Sequence, residues 1–162
     1  MEETLSDVKS ELIKCVNGKK VAIVGIGNLE KGDDGFGVLL TERLKTRLKN
    51  TALFECGTAP ENYLGPIIRS NPQVLLVLDA ANLRAEPGHV HILEAKEIAD
   101  LGLSTHDSSL NLFIKFLRHE LKEVDIFLVC MQPKNTDFGK CISKELEKHL
   151  SELEKILVEM LS

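Results

Sequence analysis

Three side chains able to hold a cation or move a proton fall where strands should end. Asp34 lies in the loop after the apolar run Val21-Ala22-Ile23-Val24, Asp79 closes the run at residues 73–79, and His106 lies beyond a fourth strand. Two carboxylates and an imidazole make a hard-to-borderline donor set suited to zinc, nickel or manganese. The same trio could instead do acid–base chemistry, each carboxylate pushing the other's pKa away from its own. Each residue also has a plainer role open to it. Asp33 or Asp34 could cap the helix expected to begin near Gly35. Asp79 could bind backbone amides, because a charge at the end of a buried strand needs a partner or a site. His106 could be an ordinary loop residue.

The stretch that must position the first of these reads VAIVGIGNLEKGDDGFG, from Val21 to Gly37. An apolar run, a glycine turn and a helix start describe a site at the carboxyl end of a sheet. It is not a dinucleotide fingerprint, since G-x-G-x-x-G needs glycine where this chain has Glu30. A pyrophosphate would also meet Glu30, Asp33 and Asp34 where it needs bare amides. Two unit charges about 4 Å apart interact by ~4 kcal/mol at an effective dielectric near 20, so like charges there exclude an anion. A cation, or a group carrying one, suits the loop.

The remaining elements follow from periodicity. Leu5, Val8, Leu12, Ile13 and Val16 predict a helix over 4–16, stopped by Asn17-Gly18. The helix after the central motif is expected from about Gly35 to Lys49, with Val38, Leu39, Leu44 and Leu48 inward. A strand is expected over 51–56, a helix over 61–70 and a strand over 73–79. The run at 89–93 follows its predecessor after only about nine residues, too few for a parallel crossover, so it is expected as an antiparallel edge strand. A helical turn or two over 95–101, a loop at 103–106 and a helix from Asp107 to about His119 come next, with Asp107 as a possible N-cap. A fifth strand over 124–130 and a last helix with Ile142, Leu146, Leu150, Leu153 and Leu157 as its stripe complete the chain. Strands alternating with helices give one α/β domain over 1–162: a three-layer α/β/α sandwich around a five-stranded, mostly parallel twisted sheet with one antiparallel edge. Asp34 and Asp79 then flank one crevice if the first and third strands are neighbours.

Composition narrows the function. With 162 residues, 43% of them hydrophobic, the chain can bury a sizeable core. A net charge of -5 without any basic run argues against nucleic acid and anionic membranes as partners. No apolar stretch reaches the ~20 residues that span a bilayer. The N-terminus, MEETLSDVKSEL, is acidic and amphipathic, unlike a signal peptide, and Cys15, Cys56, Cys130 and Cys141 form no C-x-x-C pair. A cytoplasmic protein with reduced, mostly buried cysteines is expected, and a monomer is expected as well. His89 and His91 could bind metal from one face of a strand, but an exposed edge is enough to explain them. There is no G-x-S-x-G, and Ser104, Ser108 and Ser109 beside His106 make a weak case for a triad, whose members normally come from separate elements.

Taken together, the motifs resemble a known family. Gly25-x-Gly27-Asn28 followed by Gly32-Asp33-Asp34-Gly35-x-Gly37 is similar to the opening motif of the [NiFe]-hydrogenase maturation endopeptidases. Gly57-Thr58-Ala59-Pro60-Glu61-Asn62, Leu78-Asp79-Ala80, Ser104-Thr105-His106 and Gln132-Pro133-Lys134 with Asp137-Phe138-Gly139 resemble its later motifs, in its order. The match departs from the family just past His106, where Asp107-Ser108-Ser109 stands in place of a Leu-Pro type continuation. The likeness suggests the branch that processes large subunits of formate-hydrogenlyase and energy-converting hydrogenases. It implies a peptidase that removes the C-terminal extension of a large-subunit precursor once nickel is inserted. By the same likeness, Asp34, Asp79 and His106 would be both the catalytic groups and the nickel ligands, the metal arriving with the substrate, although other divalent ions could occupy them. Asn28 and Thr58 would line the cleft. A nickel-carrying chaperone for hydrogenase assembly, without peptidase activity, would use the same ligands.

Overall fold

The computed structural model describes residues 4–97 and 107–162, with the side chains of residues 107–109 left aside. Helix α1 (Leu5–Val16) opens on a capping box in which Thr4 and Asp7 satisfy each other's backbone amides. Strand β1 (Val21–Ile26) is buried along its whole length, as is β3 (Val74–Ala80), so their near-continuous apolar sequences mark the middle of the sheet. Strand β2 (Ala52–Gly57) is only partly buried and lies at one edge. Strand β4 (Val90–Glu94) forms the other edge, and β5 (Asp125–Met131) lies between it and β3.

The sheet order is β2-β1-β3-β5-β4. Pairs β1–β2, β1–β3 and β3–β5 are parallel, and β4 runs antiparallel to β5, as the short connection before it requires. Strand β1 therefore has its successor β2 on one side and β3 on the other, which makes the carboxyl ends of β1 and β3 the topological switch point. Helices cover both faces. On one, α1, α2 (Phe36–Lys45) and α5 (Lys144–Leu161) pack Leu12, Leu40, Leu44 and Leu150 onto Ile23, Leu76 and Val129. On the other, α3 (Leu64–Ser70) and α4 (Asp107–Glu120) pack Ile67, Leu110 and Phe113 onto Val24, Val77 and Leu128.

Three local boundaries differ from expectation. The GDDG segment (Gly32–Gly35) is a separate 3-10 turn, and α2 begins only at Phe36. Helix α2 stops at Lys45, where the Thr46 hydroxyl donates to the Arg43 carbonyl and tightens the last turn, although Leu48 is still buried against the core. The helix expected over 61–70 divides into a 3-10 turn (Pro60–Tyr63) and α3. Residues 95–97 are helical as expected, while the rest of that segment and the loop at 103–106 lie outside the described residues.

Candidate active site at the carboxyl rim of the sheet

The turn that carries Asp34 is held by contacts only glycine permits. Gly27 has φ 139°, and a methyl group on it would run into the Asp34 carbonyl. At Gly37 the chain passes so close to the end of β3 that a side chain would collide with the Leu78 and Ile26 carbonyls. The start of α2, directly after the turn, thus sits on the segment that delivers Asp79. Asp34 is 4% exposed, and its Oδ2 accepts the Asn28 amide at 2.9 Å. Asn28 orders the intervening loop, its side-chain Oδ1 accepting the Glu30 amide and its carbonyl the Lys31 amide.

Neither acidic residue caps α2, whose N-terminus has no side-chain cap. Asp33 serves another purpose. Fully buried, its carboxylate accepts the Lys134 and Asn135 amides at 2.9 and 3.0 Å, and the Ser143 amide and hydroxyl at 2.7 and 2.9 Å. Ser143 is the residue that opens α5, and its hydroxyl is turned to Asp33 instead of its own helix. Four charge-assisted bonds fasten the GDDG turn to the loop after β5. Backbone bonds extend the seam, Gly32 N–H to the Lys140 carbonyl, Asp33 N–H to that of Asn135 and Gly139 N–H to that of Glu30. Sequence reasoning missed this role, because nothing in local spacing relates Asp33 to a serine so far downstream.

Gln132, also buried, fixes the next loop along the rim. Its Oε1 accepts the Leu83 amide at 2.6 Å and the Ala85 amide at 3.4 Å, while its amide nitrogen donates to the Pro133 carbonyl. The segment that follows β3 is thereby tied to the end of β5.

Asp79 is fully buried on β3. Its register partner on β5 is Cys130, whose antiparallel partner on β4 is His91. The three side chains form a row across neighbouring strands on the face that α4 covers. Burial, and then the nearby Asp79 charge, push the Cys130 thiol well above its ordinary value. Cys56 at the end of β2 is pushed up to about 12, by burial first and by Glu61 second, with Lys45 opposing. Both stay protonated at neutral pH and neither is a thiolate nucleophile. All four cysteines are free, with Cys56 and Cys130 buried, Cys15 partly covered and Cys141 exposed.

Asp34 and Asp79 therefore stand at the same carboxyl rim, on the loop of β1 and at the end of the adjacent β3. Asn28 is half-buried in the loop that leads to Asp34, and Thr58, Glu61 and Asn62 are exposed on the turn after β2, whose Gly57 carbonyl accepts the Gly27 amide. His106 lies outside the described residues. Among the described residues no three His, Cys, Asp or Glu groups stand together closely enough to hold a metal ion, His89 and His91 included. His89 precedes β4, and only His91 belongs to the strand.

Residues 38–160 match the family model described as hydrogenase maturation protease. Along the full length, the chain is 31% identical over 99% of its residues to a Methanocaldococcus jannaschii protein provisionally named a hydrogenase maturation protease, covering 96% of it. The hydrogenase 3 maturation protease of Escherichia coli K12 is 37% identical over 105 residues, 64% of this chain and 67% of that one. The crystal structure of a [NiFe] hydrogenase maturation protease from Thermococcus kodakarensis KOD1 superposes with a TM-score of 0.86 at 30% identity, covering 93% of this chain and 98% of the other. The chain belongs to the hydrogenase maturation protease family.

It is accordingly a hydrolase, an endopeptidase, and the sheet with four parallel strands and one antiparallel edge is the fold of its relatives. Asp79 and His106 fall within the segment that matches the family model, and the GDDG turn lies just before it. Among the described residues no helix of this maturation protease is long and apolar enough to cross a membrane.

Proposed function

We propose that this maturation protease removes the C-terminal extension of a [NiFe]-hydrogenase large-subunit precursor after nickel insertion, and that Asp34, Asp79 and His106 recognise the nickel. The observation that carries the proposal is the pair of buried carboxylates at the switch point, on the turn after β1 and at the end of β3. Carboxylates held there without a cation repel each other, and a cation brought by the substrate offsets that repulsion. The nickel is cargo of the precursor and not a cofactor of the protease.

Once the precursor's metal is held, the scissile peptide is fixed against the rim, and the reaction gains from placement of the reacting groups. A carboxylate of the site takes the proton of the attacking water, which adds to the scissile carbonyl, and the proton then passes to the departing amine. The substrate is a large subunit of the formate-hydrogenlyase or energy-converting type, and the enzyme works as a monomer in the cytoplasm, where such precursors are assembled. Mass spectrometry of nickel-loaded precursor after incubation with the protein tests the proposal. Loss of a C-terminal fragment with the native enzyme, absent with Asp79→Asn, is expected. Nickel binding without any cleavage would replace the peptidase with an assembly chaperone.

A further inference from the structure

We propose that Leu29 and Phe138 form a preformed apolar ledge on which the hydrogenase precursor docks beside Asp34. The proposal rests on the maturation-protease function above and adds the surface that grips the substrate.

Phe138 is 72% exposed and Leu29 51% exposed, in a chain that otherwise buries most of its large apolar side chains. They lie on two loops fastened to one another. The Gly139 amide, next to Phe138, donates to the Glu30 carbonyl, next to Leu29, at 2.7 Å. Residues Lys31 and Lys140 then pair as a parallel bridge, and below them Asp33 grips Lys134, Asn135 and Ser143. A buried carboxylate with four donors thus braces two loops whose tips carry bare hydrocarbon. An aromatic side chain on a braced loop has little backbone freedom left to lose on binding, so more of its burial appears as affinity.

Position identifies the occupant. Leu29 follows Asn28, whose amide holds Asp34, and the Leu29 backbone packs against Gly35, where any side chain would press on it. A polypeptide that brings its scissile segment to Asp34 comes close to this ledge. The charged residues Glu30, Lys31, Asp137 and Lys140 flank the two apolar residues in the chain, all exposed, a mix of apolar and charged groups as at protein–protein contacts. A folded protein flanking the scissile segment fits such a surface, and a short free peptide would engage it poorly.

The double variant Leu29→Ser/Phe138→Ser tests the proposal, with Leu112→Ser/Phe116→Ser, two exposed apolar residues on α4, as the control. Steady-state cleavage of nickel-loaded precursor and its equilibrium binding by biolayer interferometry are both measured. The ledge variant is expected to raise KM and Kd about tenfold, roughly 1.4 kcal/mol, with kcat within twofold, while the control changes neither. Unchanged KM and Kd in the ledge variant overturn the proposal, as does a native dimer that the variant dissociates, which would assign the patch to a second copy of the chain. Absence of cleavage by the native enzyme would count against the peptidase function alone, since the Kd comparison still decides whether the ledge binds precursor.

Discussion

Asp33 and Ser143, 110 residues apart in sequence, are joined by two hydrogen bonds, the Ser143 amide to Oδ1 at 2.7 Å and its hydroxyl to Oδ2 at 2.9 Å. The bond pair connects the turn that carries Asp34 to the N-cap residue of the last helix, so the geometry of the rim depends on the far end of the chain. Asp33→Asn replaces one acceptor oxygen with an NH2 group facing donors. It should lower stability by about 2–4 kcal/mol, since each buried donor left unmatched costs ~1–3 kcal/mol. Ser143→Ala removes only the hydroxyl bond and should cost about 1 kcal/mol. Urea unfolding of the three proteins checks both values, and equal midpoints for native and Asp33→Asn would show the seam to be unimportant.

Gly37→Ala places a methyl group against two backbone carbonyls, those of Leu78 and Ile26. Backbone yields less readily than a side-chain tip, so a loss of about 3 kcal/mol is expected, at the upper end of overpacking effects. Gly57→Ala is the comparison at the same rim, because a Cβ there meets open space and its cost is limited to the strain of φ 58°. Thermal melts should place Gly37→Ala well below Gly57→Ala, and the reverse order would argue against the close approach of α2 to β3.

The cysteines predict a reactivity pattern. Cys56 and Cys130 have raised thiol pKa values and are buried, whereas Cys141 is exposed. Iodoacetamide at pH 8 should label Cys141 in the native protein and leave Cys56 and Cys130 intact, with precursor cleavage retained. Peptide mapping reads the sites. Loss of cleavage that tracks alkylation of Cys56 or Cys130 would point to a thiol mechanism instead.

The same shifts set a sign for alkaline stability. Folded Cys56 keeps its proton up to about 12, whereas the unfolded thiol loses it near 9.0. Between those values the native state binds more protons, so stability falls as pH rises. The contribution is complete below pH 9.0 and is lost as pH climbs toward 12. Cys56→Ala should flatten the decline of the unfolding midpoint over this window, and an unchanged slope would contradict the assignment.

The sequence made the fold legible wherever one physical signal dominated. The uninterrupted apolar runs of β1 and β3 told of burial on both faces, and the short connection before β4 excluded a parallel crossover. The stripe of Leu146, Leu150, Leu153 and Leu157 oriented α5. Placement of Asp34 and Asp79 at strand ends followed from the same patterns. Helix ends were harder, because Thr46 closes α2 through a bond to Arg43 that hydrophobic spacing does not encode, while Leu48 continues the apolar rhythm beyond it. The role of the Asp33 carboxylate was not legible for a further reason. Its partners are backbone amides of a distant loop, and main-chain groups leave no mark in the residue pattern. Gln132 was legible as part of a motif but its bracing role was not, on the same ground, since its Oε1 partners are the amides of Leu83 and Ala85.

The central claim is that nickel in the precursor makes the buried carboxylates a binding site. Its most direct test is the cleavage rate of nickel-loaded and nickel-free precursor, at equal concentration, by native enzyme and by Asp34→Asn. About 3 kcal/mol of differential binding corresponds to roughly a hundredfold preference, so the native enzyme should favour loaded precursor by about that factor. Asp34→Asn keeps the shape and removes one charge, and it should process loaded precursor more slowly and with a smaller preference. Equal cleavage of both precursors by the native enzyme would contradict nickel recognition at this site.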